Sequence, residues 1–208
     1  MSWQLPILLA SAAAVAVVIA AVLLRRAGAP IPAVLAAGLA ALGTGAICWR
    51  WQTGAWPPWW LPVPCLLTVF AVPLALADLR HRRLPDVLTL SAYPALATAL
   101  AVAALTGGGP APPVRALAGA LVFGGAHALV HARAPASLGA GDVKLAGSLG
   151  GVLAAIGWAT IPVAAFAAAL LSGLWAACAR RRRVPHGPSL LLATWLCAVF
   201  PGTTLPPG

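Results

Sequence analysis

Leu138-Gly139-Ala140-Gly141-Asp142-Val143-Lys144-Leu145 places an aspartate on a glycine-flanked turn immediately before an apolar run. Carboxylates are scarce here: Asp78, Asp86 and Asp142 are the whole acidic complement of 208 residues, with no Glu. A carboxylate in or beside a bilayer is costly, and is rare there without a function. The two glycines of that turn, Gly139 and Gly141, let backbone or substrate approach closely. A plainer reading stands beside this one, in which Asp142 caps the following helix. Lys144 weighs against it, because a cation in the first turn opposes the helix macrodipole.

Working outward, the composition fixes the class. The chain is 62% hydrophobic and 8% charged, with a mean hydropathy of +0.95, too apolar for a soluble domain of this size. The expected fold is all-α, a polytopic transmembrane helix bundle. A net charge of +10 then speaks of topology and anionic lipid. No aromatic-interleaved basic motif marks nucleic acid as a partner. Cys48, Cys65, Cys178 and Cys197 form no CxxC pair, which argues against a zinc ribbon or redox centre. Cys48 and Cys65 are open to two readings, a disulfide near one face or two thiols.

A bilayer core of roughly 30 Å needs about 20 apolar residues per helix. On that measure the chain offers about eight spans: Leu5 to Leu24, Pro30 to Trp49, Leu61 to Ala77, Val87 to Leu105, Val114 to Val130, Val143 to Gly157, Trp158 to Ala179 and Ser189 to Phe200. The first is a poor signal peptide, since it is long, lacks a basic start and is followed by Arg25-Arg26. The indoles of Trp3, Trp49, Trp51, Trp56, Trp59 and Trp60 suit an interfacial belt at one surface. Residues 1–60 read as two N-terminal helices with a Trp-rich outer loop, and 61–208 as a membrane catalytic core. Gly147 with Gly151, and Ala120 with Gly124, are small-residue pairs expected to bring two helices close.

With the N-terminus outside, 11 of the 13 basic residues fall in the cytoplasm, leaving Arg50 and Arg115 outside. The positive-inside rule selects that orientation. Asp78, Asp86 and Asp142 then all lie at the cytoplasmic boundary. Two carboxylates held close cannot both ionise easily, which yields a general acid and a general base from one residue type. Such a pair can activate water against a peptide carbonyl. Asp78 ends one span and Asp142 begins another on the same side, as a dyad requires. The arginines following Asp78 are expected to turn toward lipid phosphate.

Asp78-Leu79-Arg80-His81-Arg82-Arg83-Leu84-Pro85-Asp86 and the Leu138–Leu145 stretch resemble the two signature segments of the type IV prepilin peptidases, which are GxGD-type intramembrane aspartic proteases. The first family segment is an Asp, a basic stretch, then Pro and Asn or Asp; the second is GxGDxK. Val184-Pro185-His186-Gly187-Pro188-Ser189-Leu190 is similar to a third, Pro-Phe-Gly-Pro segment before the last helix. The resemblance spans roughly residues 61 to 200 in the family's order.

It implies an aspartic endopeptidase of the cell inner or plasma membrane that removes the leader of a prepilin or pseudopilin at the cytoplasmic face. That substrate carries a basic leader and an apolar helix. Asp78 and Asp142 would be catalytic. Gly139, Gly141, Lys144, Asp86 and Pro188 would bind substrate or support the site, with Asp86 as the cap of the helix from Val87. Neither metal nor cofactor is implied. Larger members carry an N-terminal domain with paired CxxC motifs that N-methylates the product; no such segment precedes the first span, so methylation is not expected. His186 stands where Phe is usual, and Ser189 is smaller than the usual residue.

His127 and His131 have metal-ligand spacing, but no adjacent Glu or Cys completes a site. A transporter would place its carboxylates near the midplane within related repeats, and no inverted repeat is evident. A non-proteolytic subunit of a pilus or secretion assembly remains the other alternative.

Overall fold

The computed structural model describes residues 4–135, 138–180, 184–202 and 205. Trp3 and Arg181 to Arg183, which enter the indole and charge readings above, lie outside them. Prolines punctuate the apolar runs, and helices restart behind them, because proline presets the first helical turn and has no amide to leave unpaired. The result among the described residues is α-helical throughout, with no strand. The helices are α1 (Gln4–Arg26), α2 (Ala33–Gln52), α3 (Pro62–His81), α4 (Asp86–Thr89), α5 (Ala92–Ala103), α6 (Ala111–Arg133), α7 (Ala140–Ile156), α8 (Thr160–Cys178) and α9 (Gly187–Val199).

Among the described residues, six segments are long and apolar enough to cross a membrane: α1, α2, 58–81, 86–108, α6 and α8. The other two expected spans are shorter, at 17 residues for α7 and 13 for α9. The run expected over Val87–Leu105 is divided. It opens with the single turn of α4, continues as α5, and ends in a wide turn over Ala104–Gly108.

α7 is the axis of the bundle. Every residue from Leu145 to Ile156 is buried, as befits a helix that is apolar all round. The small residues explain how α6 comes so near it. A Cβ on Gly150 would lie 2.7 Å from the Gly119 carbonyl oxygen, and one on Gly124 would lie 3.0 Å from Gly147 Cα. The expected close approach is present, with Gly119 and Gly150 as further members of the seam. Past Ile156 the chain turns at Gly157, and Thr160 Oγ1 donates to the carbonyls of Leu153 (2.6 Å) and Gly157 (2.8 Å). Arg115 Nη2 donates to the Ala155 carbonyl at 2.8 Å, closing the same end.

The Trp-rich loop departs from the interfacial belt. Trp56, Trp59 and Trp60 are buried. Trp56 Nε1 donates to Val199 O (3.2 Å) and Trp60 Nε1 to Ala198 O (2.9 Å). Carbonyls at the end of a helix lack intrahelical partners, so these indoles cap α9 from inside the fold. Trp49 does stay exposed. Cys48 and Cys65 are two thiols, not a disulfide.

α1 and α2 pack on the outer face of α3, where Val17, Ala36 and Ala40 meet Val69, Val72 and Leu76. His81 Nε2 lies 2.8 Å from the Pro30 carbonyl oxygen, tying the end of α3 to the turn between α1 and α2.

Candidate active site

α3 ends at the aspartate segment. Asp78 occupies its last turn and is buried, at 6% exposure. The helix closes at Arg82, whose φ of 51° is left-handed, a region that non-glycine residues seldom adopt. The Arg82 amide donates to the Asp78 carbonyl at 2.8 Å, completing the last turn.

α7 begins three residues before the expected Val143, so Asp142 stands within its first turn and Gly139 holds the cap position. The Gly139 amide is directed back at the Asp142 carboxylate. An acidic side chain at the third helical position facing the cap amide is half of a capping box. Asp142 is thus both a helix-start residue and a site candidate. Its Oδ1 is buried without a hydrogen-bond partner among the described residues, so one oxygen is left for chemistry.

Asp78 and Asp142 line one cavity of about 330 Å³, together with Arg82, Arg83, Leu84, Asp86, Gly139, Ala140, Gly141 and Lys144. The two carboxylates act on each other electrostatically. Arg82 acts on Asp78 as well. Arg82 and Arg83 both line the cavity, and the Arg82 cation acts on Asp78, unlike a guanidinium turned wholly to lipid.

The two glycines of the 138–145 stretch have separate reasons. Gly139 supplies the amide facing Asp142. Gly141 packs on Leu84, where a Cβ would stand 3.0 Å from Leu84 Cβ. That contact seats the start of α7 on the segment that leaves α3.

Asp86 is not a cap. It lies inside α4, with Pro85 at the cap position and no side-chain cap bond. Its two carboxylate oxygens accept from Lys144 Nζ, each at 2.8 Å. A proline-led turn with its own lysine partner leaves the carboxylate no need of the backbone. The pair is half-exposed, at 41% for Lys144 and 58% for Asp86, and exposed pairs stabilise by about 0–1 kcal/mol. Tyr93 Oη donates to the Lys144 carbonyl at 2.6 Å. Lys144 thereby ties the first turns of α7 to α4 by its side chain and to α5 by its backbone.

The third segment contributes through a residue that sequence reasoning passed over. Pro188 lies at the start of α9, but Gly187 makes the contact. Its amide faces the Asp78 carboxylate, and a Cβ there would sit 2.7 Å from Asp78 Oδ2 and 3.4 Å from Leu84 Cδ1. The signal was present in Gly-Pro at a helix start, where bare amides favour a negative charge. His186, beside it, acts electrostatically on Asp142, as does His127. His127 and His131 place their Nδ1 atoms on their own chain, at 2.9 Å from Phe123 O and 2.7 Å from Leu138 O. Among the described residues no group of three or more metal-capable side chains occurs.

Residues 65–177, more than half of the chain, match the sequence profile of the type IV leader peptidase family. The matched range holds Asp78, Asp86 and Asp142 and stops short of Gly187. No curated protein and no solved structure gives a significant match.

Proposed function

Because the chain belongs to the type IV leader peptidase family, we propose that it is an aspartic endopeptidase that cuts the leader from a prepilin-like protein at the cytoplasmic membrane face. The observation that carries this reading is the single cavity lined by both Asp78 and Asp142, drawn from the end of α3 and the start of α7.

Two carboxylates in one partly buried cavity share a proton and titrate as a unit. The ionised partner takes a proton from water as the oxygen attacks the scissile carbonyl. The protonated partner gives its proton to the carbonyl oxygen. Collapse of the tetrahedral adduct breaks the C–N bond, and the amine leaves with a proton from the pair. The Gly187 amide faces the Asp78 carboxylate, while the unpartnered Oδ1 of Asp142 is available to water or substrate. The positive-inside rule, applied to the basic residues in the segments that carry Asp78 and Asp142, supports the cytoplasmic face. A basic leader would meet few anions there besides the three aspartates and lipid phosphate.

Cleavage of a prepilin in detergent tests the reading. Asp78→Asn and Asp142→Asn should each lower kcat by several orders of magnitude, with the double variant scarcely worse, since residues acting as one unit are strongly non-additive. Parental cleavage by both single variants, at equal amounts of folded protein, overturns the two-aspartate mechanism.

A further inference from the structure

α7 lines two hollows in succession. Gly141 and Lys144 border the cavity of the aspartates, and Ser148 and Gly151 border an apolar groove of about 200 Å³. These four residues follow one another at steps of three and four, so they share one face of the helix. α5 and α6 form the rims of the groove, where Ala97 and Leu117 are exposed. Tyr93 stands at its mouth. A Cβ on Gly147 would run into the Tyr93 hydroxyl, and that hydroxyl donates to the carbonyl of Lys144 at 2.6 Å. One hydrogen bond thus marks where the cavity ends and the groove begins. Beyond it the chemistry changes. Asp78, Asp86, Asp142, Arg82, Arg83 and Lys144 all line the cavity, whereas among the described residues no charged side chain lines the groove. Its hydroxyl protons are committed, Tyr93 Oη to Lys144 and Ser148 Oγ to the Leu145 carbonyl at 2.9 Å.

We propose that this groove seats the apolar segment of the substrate that follows the scissile bond, as a subsite continuous with the aspartate cavity along one face of α7. This rests on the cavity being the place where a membrane peptide is cut. A chain that enters the cavity and runs on along α7 passes from a surface that holds ions to one that solvates none. A basic leader suits the first and cannot enter the second, because an unpaired cation in an apolar groove is costly. The part that stays in the membrane therefore lies along the groove, and its side chains there must be apolar. Helix geometry sets the reach. Asp142 and Ser148 are six residues apart, about 9 Å of helix. An extended chain covers that distance in about three residues and a helical one in about six. Residues about three to six beyond the scissile bond accordingly meet Tyr93 and the groove. A hollow of about 200 Å³ admits side chains but not a whole helix of about 10 Å diameter. The substrate helix thus lies along the rims and inserts large apolar side chains. Gly147, Ser148 and Gly151 leave room for them, and in lipid it is packing of this kind that draws helices together.

A double-mutant cycle between enzyme and substrate is the test, with the full chain in detergent and a prepilin. In the prepilin, the residues about three to six beyond the scissile bond become alanine, which shortens the side chains and keeps the helix. In the enzyme, Ala97→Phe and Leu117→Trp fill the groove from opposite rims. Each change alone should lower kcat/KM about tenfold, the lower end of what a misfitted apolar pocket costs. Enzyme and substrate changes together should cost about tenfold in all and not about a hundredfold, because a truncated side chain loses nothing to a filled groove. Coupling from either rim supports the assignment. Losses that multiply at both rims, as a lipid acyl chain in the groove would give, overturn it, and so does the absence of any loss. Where neither filled variant folds, Ala97→Cys decides, in an Asp142→Asn chain whose four native cysteines are replaced by alanine. Its thiol should form a disulfide with single cysteines placed about three to six residues beyond the scissile bond, and none with cysteines in the leader. No disulfide in that window, or an equal yield in the leader, overturns the assignment. A chain that cuts no prepilin, or that cuts normally as Asp78→Asn and as Asp142→Asn, loses the reaction at this cavity and the groove with it. Inactive aspartate variants beside an uncoupled cycle remove the groove's role and leave the dyad standing.

Discussion

α7 and α8 follow one another in the chain, are both apolar and are of similar length at 17 and 19 residues, yet the bundle buries one and turns the other outward. From Leu145 onward α7 has no exposed residue, whereas Ala164 and Ala168 are the buried residues of α8. Apolarity does not separate them; side-chain size does. α7 carries Gly150 and Gly151 on faces that meet α6 and Gly147 where Tyr93 of α5 packs, while α8 presents Val163, Phe166, Leu170 and Leu174 to its surroundings. In lipid, greasy surface gives no reason for helices to associate, and packing against small residues does. The helix that can be packed on every side becomes the axis, and its first turn is where a carboxylate can be held still.

That contrast can be broken by adding bulk. Gly150→Leu would force a side chain toward the Gly119 carbonyl, 2.7 Å from the first added carbon. It should cost at least about 3 kcal/mol, at the upper end of overpacking effects, and should sharply reduce recovery of monodisperse protein in detergent. Phe166→Leu in α8, at a site 71% exposed, should stay within about 0.5 kcal/mol, as surface changes do. Thermal unfolding of the two variants side by side measures the difference. Equal effects would mean that size does not set which helix is central.

The same test at smaller scale sharpens the contrast at the site. Gly187→Ala adds one carbon 2.7 Å from Asp78 Oδ2, so the carboxylate or the start of α9 has to shift by a few tenths of an ångström. Misplacing a catalytic group by up to 1 Å costs as much as about 100-fold. A loss of about 10- to 100-fold is expected, in kcat more than in KM. Unchanged kcat would show that the α9 terminus plays no part in setting Asp78.

How much of this the sequence disclosed depends on the scale of the signal. Asp78, Asp142 and the membrane class were legible because acidic residues are nearly absent and the apolar runs are long. The α6–α7 seam was half legible: Gly147 and Gly151 follow a spacing rule, but Gly119 and Gly150 matter through what stands opposite them, which no one-dimensional pattern records. The indoles of Trp56 and Trp60 were misplaced for the same reason, since their partners are carbonyls about 140 residues away in the chain. Gly187 escaped notice because its contribution is a bare amide and an absent side chain. His186 stands out in the sequence as a departure from its family's usual Phe, while its partner Ser172 on α8 is visible only in three dimensions.

The smallest effect expected is at Asp86, and it bears on the choice between two aspartates eight positions apart in one segment. Asp78 is buried in the last turn of α3, whereas Asp86 is 58% exposed and chelated by Lys144. Asp86→Asn leaves an oxygen that still accepts from the lysine and removes the charge of a half-exposed pair. The loss of stability should be at most about 1 kcal/mol. It should shrink in 1 M salt, where the screening length falls to about 3 Å. Cleavage should stay within a few-fold of the parent, because the pair anchors the start of α7 and Tyr93 Oη holds the same turn independently at 2.6 Å. Lys144→Met should be the worse of the two for stability, since Asn at 86 still accepts from the lysine whereas Met at 144 offers Asp86 no donor. Thermal unfolding at two salt concentrations and a prepilin cleavage assay measure both variants. Inactive but fully folded Asp86→Asn beside a normally active Asp78→Asn would move Asp86 from the scaffold into the reaction, and Asp78 would then lose its claim to be the partner of Asp142.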